Sequence, residues 1–166
     1  NKYFAYIAAF GAFTDIPYVT PQDQKKWLGH LAYVLQGAQN LNKIEPVHAV
    51  VEYDDGVIEA DLLYGSMSNS TSVAGILKLP EELVYLSDGM SELVLVKNPP
   101  KISALTQMLE SVINKRFDNE NLLVLHTKKA KFKFDHPVGW TRDGEDGGAY
   151  EEIELSNLPC AIRFIF

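Results

Sequence analysis

The chain has 166 residues, 46% of them hydrophobic and 22% charged, which is typical of one ordinary globular domain. Its net charge of -7 argues against nucleic acid as a direct partner. No apolar run reaches the roughly 20 residues that cross a bilayer, and the single cysteine, Cys160, excludes an internal disulfide and favours a reducing compartment.

The first quarter of the chain predicts a strand and then a helix. Residues 3–13 are apolar on both parities, which is typical of a strand covered on two faces. Thr20, Pro21 and Asp23 follow as cap, first helical residue and first-turn acid, which together predict a helix start. Apolar residues at helical spacing extend this first helix to about Asn42.

Beyond Pro46 the pattern changes to β-structure with one more helix. Asp54-Asp55-Gly56 predicts a tight turn between two extended runs, and residues 92–98, 121–127, 129–135, 150–157 and 161–166 read as further strands. Residues 102–113 predict a second amphipathic helix. Lysines alternate with apolar residues over 129–134, which predicts one exposed and one packed face. The predicted fold class is α+β: a β-rich, sandwich-like domain or two-layer sheet that carries two amphipathic helices.

Few motifs in the sequence carry recognisable chemistry. The four histidines are scattered, and neither a zinc-type cluster nor a glycine-rich nucleotide loop occurs. Two acidic turns remain. Asp88 in LSDGM reads either as a plain turn or as a Mg²⁺ or Ca²⁺ ligand, and from the stretch alone the plain turn is favoured. Glu145 in RDGEDGG reads either as part of a solvated loop or as a general base held on a tight turn.

The order of several segments resembles a known family. YFAYIAAFGAFTDIPYVTP, LGHLAYVLQGAQNL, SNS…AG, LSDG and DGEDGG follow one another as in the C-terminal domain of soluble bacterial diacylglycerol kinases. These kinases are part of the lipid-kinase superfamily that includes sphingosine and ceramide kinases. The resemblance spans nearly the whole chain.

The resemblance implies that residues 1–166 form one domain, the C-terminal lipid-substrate domain of a two-domain kinase. The N-terminal domain of that family binds ATP, and its signature is absent from this sequence, so the chain alone is expected to be inactive. The implied reaction is phosphorylation of diacylglycerol to phosphatidic acid. The implied partners are a lipid at the membrane surface and the chain's own N-terminal nucleotide-binding domain. A homodimer is left open, and the expected location is cytoplasmic, peripheral to the inner face of the membrane.

The resemblance also assigns roles to individual residues. Glu145 matches the family's proposed base, which takes the proton from the acceptor hydroxyl. Asp88 matches the ligand of a structural Mg²⁺, with help from the backbone carbonyls of Tyr85 and Met90. Matches of lower weight, to the substrate loop or the domain junction, are Asp15, Asp143 and Gly144. Two alternatives remain: a kinase for a sphingoid base or ceramide, and a non-catalytic β-sandwich that binds an apolar ligand.

Overall fold

The computed structural model describes residues 2–11, 45–73, 77–79, 84, 88–113, 116–117 and 119–161. Within these ranges the chain forms strands and a single helix. In chain order they are β1 Ile7–Gly11, β2 Val47–Tyr53, β3 Gly56–Ser68, β4 Ser72–Val73, β5 Leu77–Lys78, β6 Ser91–Lys97, α1 Ile102–Ile113, β7 Leu122–Thr127, β8 Lys129–Arg142 and β9 Glu145–Ser156. The predicted β-rich character is confirmed.

Four of the strands close on one another. The sheet order is β1-β8-β2-β3-β6-β7, and β1 also pairs with β3, so β1, β8, β2 and β3 form a closed, barrel-like ring. Strand β9 extends this ring from β8, while β6 and β7 extend it from β3. All of these pairings are antiparallel. The closed ring with outer strands replaces the sandwich-like arrangement predicted from the sequence.

A sharp bend in β8 makes this closure possible. Phe132 and Trp140 lie eight positions apart on β8, a separation of about 26 Å in a straight strand. Their ring centroids are nevertheless only 5.1 Å apart. The pairing of β8 with β9 shifts register between Lys133 and Val138, which places the bend in that segment. The strand therefore folds over its own aromatic side chains.

The hairpin that joins β2 to β3 is hydrogen-bonded to the connection between β7 and β8. Tyr53 pairs with Gly56, which leaves Asp54 and Asp55 as the turn and confirms the predicted hairpin. The backbone N–H of Asp54 donates to Thr127 Oγ1 at 3.2 Å, and the N–H of Lys128 donates to Asp54 Oδ2 at 2.7 Å. The hairpin tip thus meets the end of β7.

Apolar side chains pack on both faces of the sheet. One cluster is aromatic and includes Phe10, Phe132 and Trp140; the other includes Tyr64 of β3 and the helix residues Leu105 and Met108. Helix α1 confirms the predicted second helix. The predicted first helix lies outside the described residues, so one of the two predicted helices is observed. No helix in the described ranges is long and apolar enough to span a bilayer.

The alternating lysines of β8 behave as the sequence predicts. Ala130 and Phe132 are fully buried, whereas the lysines between and beside them reach the surface. Each lysine meets a carboxylate on a neighbouring strand. The pairs are Lys129–Glu154 at 2.8 Å, Lys131–Glu152 at 2.8 Å and Lys133–Glu52 at 2.6 Å. This face is therefore locally neutral rather than a basic surface.

The turn between β8 and β9 is clamped to the N-terminal segment. Asp143 and Gly144 have φ values of 50° and 86°, as a two-residue type I′ hairpin requires. The Asp143 carboxylate accepts backbone N–H bonds from Ala5 at 2.7 Å and from Tyr6 and Ile7 at 2.9 Å each. Partial burial opposes ionisation, but these donors outweigh it and hold the pKa of Asp143 below its usual value.

The first prediction concerns the aromatic core. A Cβ atom at Gly65 would overlap the ring of Phe10, which is fully buried and packed against Phe132 and Trp140. We expect Gly65→Ala to lower the free energy of unfolding by about 1–3 kcal/mol through overpacking. Gly139→Ala is the control, because a Cβ atom there meets nothing within 4 Å. Denaturant unfolding of both variants measures the difference; equal stability would contradict the packing described.

The second prediction concerns the Asp143 clamp. Because its pKa is lowered in the folded state, its contribution to stability is present above the ordinary value of 3.8 and is lost as pH falls through the folded value. We expect Asp143→Asn to cost about 1–3 kcal/mol at neutral pH, since the amide has one acceptor oxygen for three donors. The difference from wild type should shrink below pH 3.8. Unfolding at pH 7 and pH 3 tests this, with exposed Asp55→Asn as control.

Candidate functional site

Three acidic side chains lie in the β8–β9 hairpin, and their surroundings differ. Asp143 is held by three backbone N–H groups. Asp146 accepts the N–H of Gly148 at 2.9 Å. Glu145 is exposed, and no hydrogen bond or ion pair to its carboxylate exists among the described residues. Two of the acids therefore serve the local structure with at least one carboxylate oxygen, whereas neither oxygen of Glu145 has a partner among the described residues.

The local backbone geometry explains why residues 147 and 148, close to Glu145, are glycines. Trp140 faces Gly148 while Thr141 faces Asp146, so Gly147 is an extra residue that forms a bulge in β9. A Cβ atom at Gly147 would lie 2.9 Å from the Trp140 carbonyl oxygen, and Gly148 has a φ of 95°. Glu145 thus stands between a type I′ turn and a glycine bulge, and both fix the backbone that carries it.

Cationic groups lie close to this hairpin. Arg142 is the direct cross-strand neighbour of Glu145. Lys2 Nζ donates to the Gly147 carbonyl oxygen and to the Tyr150 hydroxyl, both at 3.1 Å. Two cations therefore offset most, but not all, of the charge of the three acids in this hairpin.

The turn at Asp88 contains two groups whose oxygen atoms could bind a metal ion: the Asp88 carboxylate and the Met90 carbonyl. Asp88 is exposed, and its Oδ1 accepts the N–H of Met90 at 2.8 Å. The Met90 carbonyl oxygen accepts a bond from Asn157 Nδ2 at 2.6 Å and keeps a second lone pair. A carboxylate and a carbonyl are the donor types that hard cations prefer, so the turn fits Mg²⁺ chemically. Tyr85 and Asp15 lie outside the described residues. Within the described ranges, no three His, Cys, Asp or Glu side chains are placed to hold a metal.

Strand register brings the two acidic turns to one end of the sheet. The N–H of Asp143 donates to the carbonyl of Ile7 at 2.8 Å, and Ile7 lies opposite Ser68. Ser68 in turn lies opposite Glu92, four positions after Asp88. Both turns therefore flank the same end of the β1–β3–β6 ladder, which separate sequence motifs do not reveal.

Sequence reasoning missed a set of buried polar groups at this end. Glu92 is 1% exposed, and its Oε2 accepts the N–H of Ser70 at 3.2 Å. Burial raises the pKa of Glu92 more than that bond lowers it. Tyr64, Ser66 and Ser68 of β3, here called the hydroxyl row, are also buried. The signal was present: polar residues at every second position in an apolar strand share one face.

Comparisons with known proteins place the chain among lipid-kinase relatives. A diacylglycerol kinase of Bacillus subtilis is 26% identical over 148 residues, which are 89% of this chain and 48% of that protein. One from Staphylococcus saprophyticus is 30% identical over 131 residues, 79% of this chain and 42% of that protein. One from Staphylococcus epidermidis is 33% identical over 97 residues, 58% of this chain and 30% of that protein. No family model matches the chain.

Solved structures of similar fold are described as diacylglycerol kinases as well. A candidate diacylglycerol kinase from Bacillus anthracis superposes with a TM-score of 0.63 at 18% identity, covering 94% of this chain and 51% of that one. Another Bacillus anthracis structure, described as a diacylglycerol kinase, has a TM-score of 0.54 at 16% identity and covers 93% and 47%. The chain spans about half or less of the length of the relatives it matches. It is homologous to bacterial diacylglycerol kinases over most of its own length, which confirms the resemblance seen in its sequence.

Proposed function

We propose that this chain is the lipid-side domain of an ATP-dependent lipid kinase and that Glu145 is its general base. The acceptor is diacylglycerol and the product is phosphatidic acid. The observation that carries the proposal is the separation of roles in the hairpin: Asp143 and Asp146 are used by the backbone, whereas Glu145 has no partner in the described part of the chain. An acid held on a fixed turn and left without a partner suits proton abstraction.

The proposed reaction is a direct phosphoryl transfer. The acceptor hydroxyl loses its proton to Glu145 as its oxygen forms a bond to the γ-phosphorus of ATP. The bond from that phosphorus to the bridging oxygen breaks, and ADP leaves. Such transfers depend mainly on positioning and on neutralising charge. The turn and bulge position Glu145, and Arg142, directly across the hairpin from it, supplies positive charge at this surface.

We also propose that Asp88 and the Met90 carbonyl hold a structural Mg²⁺. The ion would stabilise the turn before β6 by binding its carboxylate and carbonyl oxygens together. In this arrangement the Met90 carbonyl oxygen would continue to accept its bond from Asn157 with one lone pair and would bind the metal with the other. Tyr85, the remaining proposed ligand, contributes a backbone carbonyl.

The nucleotide belongs to another domain in this proposal. The sequence contains no glycine-rich phosphate loop, so ATP would be bound mainly by an N-terminal nucleotide-binding domain, with this chain as the C-terminal domain. The intact kinase would act at the inner face of the membrane as a peripheral cytoplasmic protein. Relatives about twice as long as the matched segment support this division.

The third prediction tests the base. In the intact protein, Glu145→Gln should lower kcat for diacylglycerol phosphorylation by about 10²–10⁴-fold, because the amide cannot accept the proton. Glu151→Gln is the matched control: it makes the same chemical change at an exposed site on the same strand and should leave kcat unchanged. Melting temperatures of both variants should equal that of wild type. A Glu145→Gln enzyme with full turnover would refute the assignment.

The fourth prediction tests the division of labour between domains. This chain alone, supplied with ATP, Mg²⁺ and dispersed diacylglycerol, should form no phosphatidic acid, because the domain proposed to bind the nucleotide and its phosphates is not in the mixture. Addition of the separately produced nucleotide-binding domain in trans should restore measurable turnover. Efficient phosphorylation by the chain alone, measured with radiolabelled ATP, would contradict the proposal.

A further inference from the structure

The hydroxyl row occupies one face of β3. Tyr64, Ser66 and Ser68 alternate along the strand and therefore point to the same side. Directly opposite Ser68 on β6 lies Glu92, whose side chain shares that face. Opposite Ser66 on β1 lies Ala9. The serine and alanine side chains are short and buried, so a ligand atom reaches the sheet here only if the side chains that cover them move.

The hydroxyl row is buried without being satisfied. Tyr64 is 5% exposed and both serines are 0% exposed. Within the part of the chain that the structure describes, none of their hydroxyl oxygens has a hydrogen-bond partner. Native proteins leave few buried polar groups in this state, and three on one strand face are a local concentration. Folding alone gives no reason for them, whereas a ligand that hydrogen-bonds to them does.

The row is rich in donors. Burial raises the pKa of Tyr64 to about 12, so its hydroxyl keeps its proton; interaction with the nearby Ser66 hydroxyl lowers the pKa by less than burial raises it. Groups that donate hydrogen bonds need acceptors, and an ester carbonyl oxygen is an acceptor only.

We propose that the hydroxyl row binds the ester carbonyl oxygens of the lipid acceptor between the sheet and α1. The site then selects a lipid with ester linkages over a lipid alcohol that lacks them. This inference rests on the proposed function and refines its substrate class. Such a site distinguishes diacylglycerol from sphingoid bases by the ester groups of diacylglycerol, because both kinds of lipid carry a hydroxyl that can be phosphorylated.

The surroundings of the row fit an acyl lipid. Leu79, Val84, Leu105 and Met108 belong to the same packed cluster as Tyr64, so apolar groups border the donors. Ser68 lies opposite Ile7, whose carbonyl oxygen accepts the N–H of Asp143. The row therefore ends beside the turn that precedes Glu145. A bound ester would place the rest of the lipid toward the proposed base.

The test compares two acceptors on the intact protein. One is a short-chain diacylglycerol, and the other is its dialkyl ether analogue, which lacks both carbonyl oxygens. Wild type should have the lower KM for the ester. The double variant Ser66→Ala/Ser68→Ala should raise KM for the ester by about tenfold, an ordinary hydrogen-bond effect, and leave KM for the ether unchanged. An unchanged KM for the ester would overturn the proposal.

Stability without lipid provides a second readout. If the hydroxyls have no partner until lipid binds, the double variant should melt at the wild-type temperature or above it. Thr127→Val is the control, because the Thr127 hydroxyl is buried and already bonded to Lys129 O at 2.6 Å. That variant should melt lower and keep its KM. A fall in melting temperature of the double variant equal to that of Thr127→Val would also overturn the proposal.

The outcomes separate this inference from the proposed function. If Glu145→Gln abolishes turnover while the double variant behaves as wild type toward both acceptors, the kinase assignment stands and the ester site is refuted. If the intact protein phosphorylates no lipid alcohol, the kinase assignment fails, and binding is then measured by the rise in melting temperature in micelles of the short-chain diacylglycerol. A rise that the double variant loses supports the ester site; no rise in wild type refutes it.

Discussion

The bend in β8 is the constraint on which the rest of the structure depends. It brings Phe132 and Trp140 from opposite halves of one strand into a 5.1 Å ring contact. The first half of β8 can then pair with β2 and the second half with β1, which closes the ring. The bend also ends the strand beside the N-terminal segment, where Asp143 accepts its three backbone bonds. A straight β8 would present the following hairpin elsewhere, and Glu145 with it.

The adjacent acids of that hairpin have different roles: two of them hold the backbone, and the third has a side chain that is unbonded among the described residues. Asp143 fixes the turn to residues 5–7, and Asp146 orders the bulge that follows. Glu145 lies between them and is anchored only through its backbone. A general base needs a side chain that can meet its substrate and a backbone that does not move away from it. The neighbouring acids supply that backbone, so removing either of them would alter the position of Glu145 rather than its chemistry.

Much of the fold could be predicted because it is encoded locally. Apolar runs, and over residues 129–134 a period of two, marked the strands. The period of three to four marked α1, and the turn at Asp54 and Asp55 followed from short-range turn chemistry. The closed ring could not be predicted, since it depends on contacts such as the one between Phe10 and Trp140, which are 130 positions apart in sequence but 4.8 Å apart in space. The three-donor clamp on Asp143 was hidden for the same reason. The role of Asp143 in the turn had a local signal; its partners did not.

The candidate site shows a similar division. Glu145 was found because its tight turn is visible in the sequence and because the order of motifs resembles a family. Glu92 was missed because a glutamate at the start of an apolar strand reads as a solvated end, although it is 1% exposed in the fold. A buried acid beside the hydroxyl row is costly to folding, and natural proteins tolerate such costs where binding recovers them. The positions least explained by stability are thus the ones where the chain's chemistry should be sought, and they lie at the same end of the sheet as Glu145.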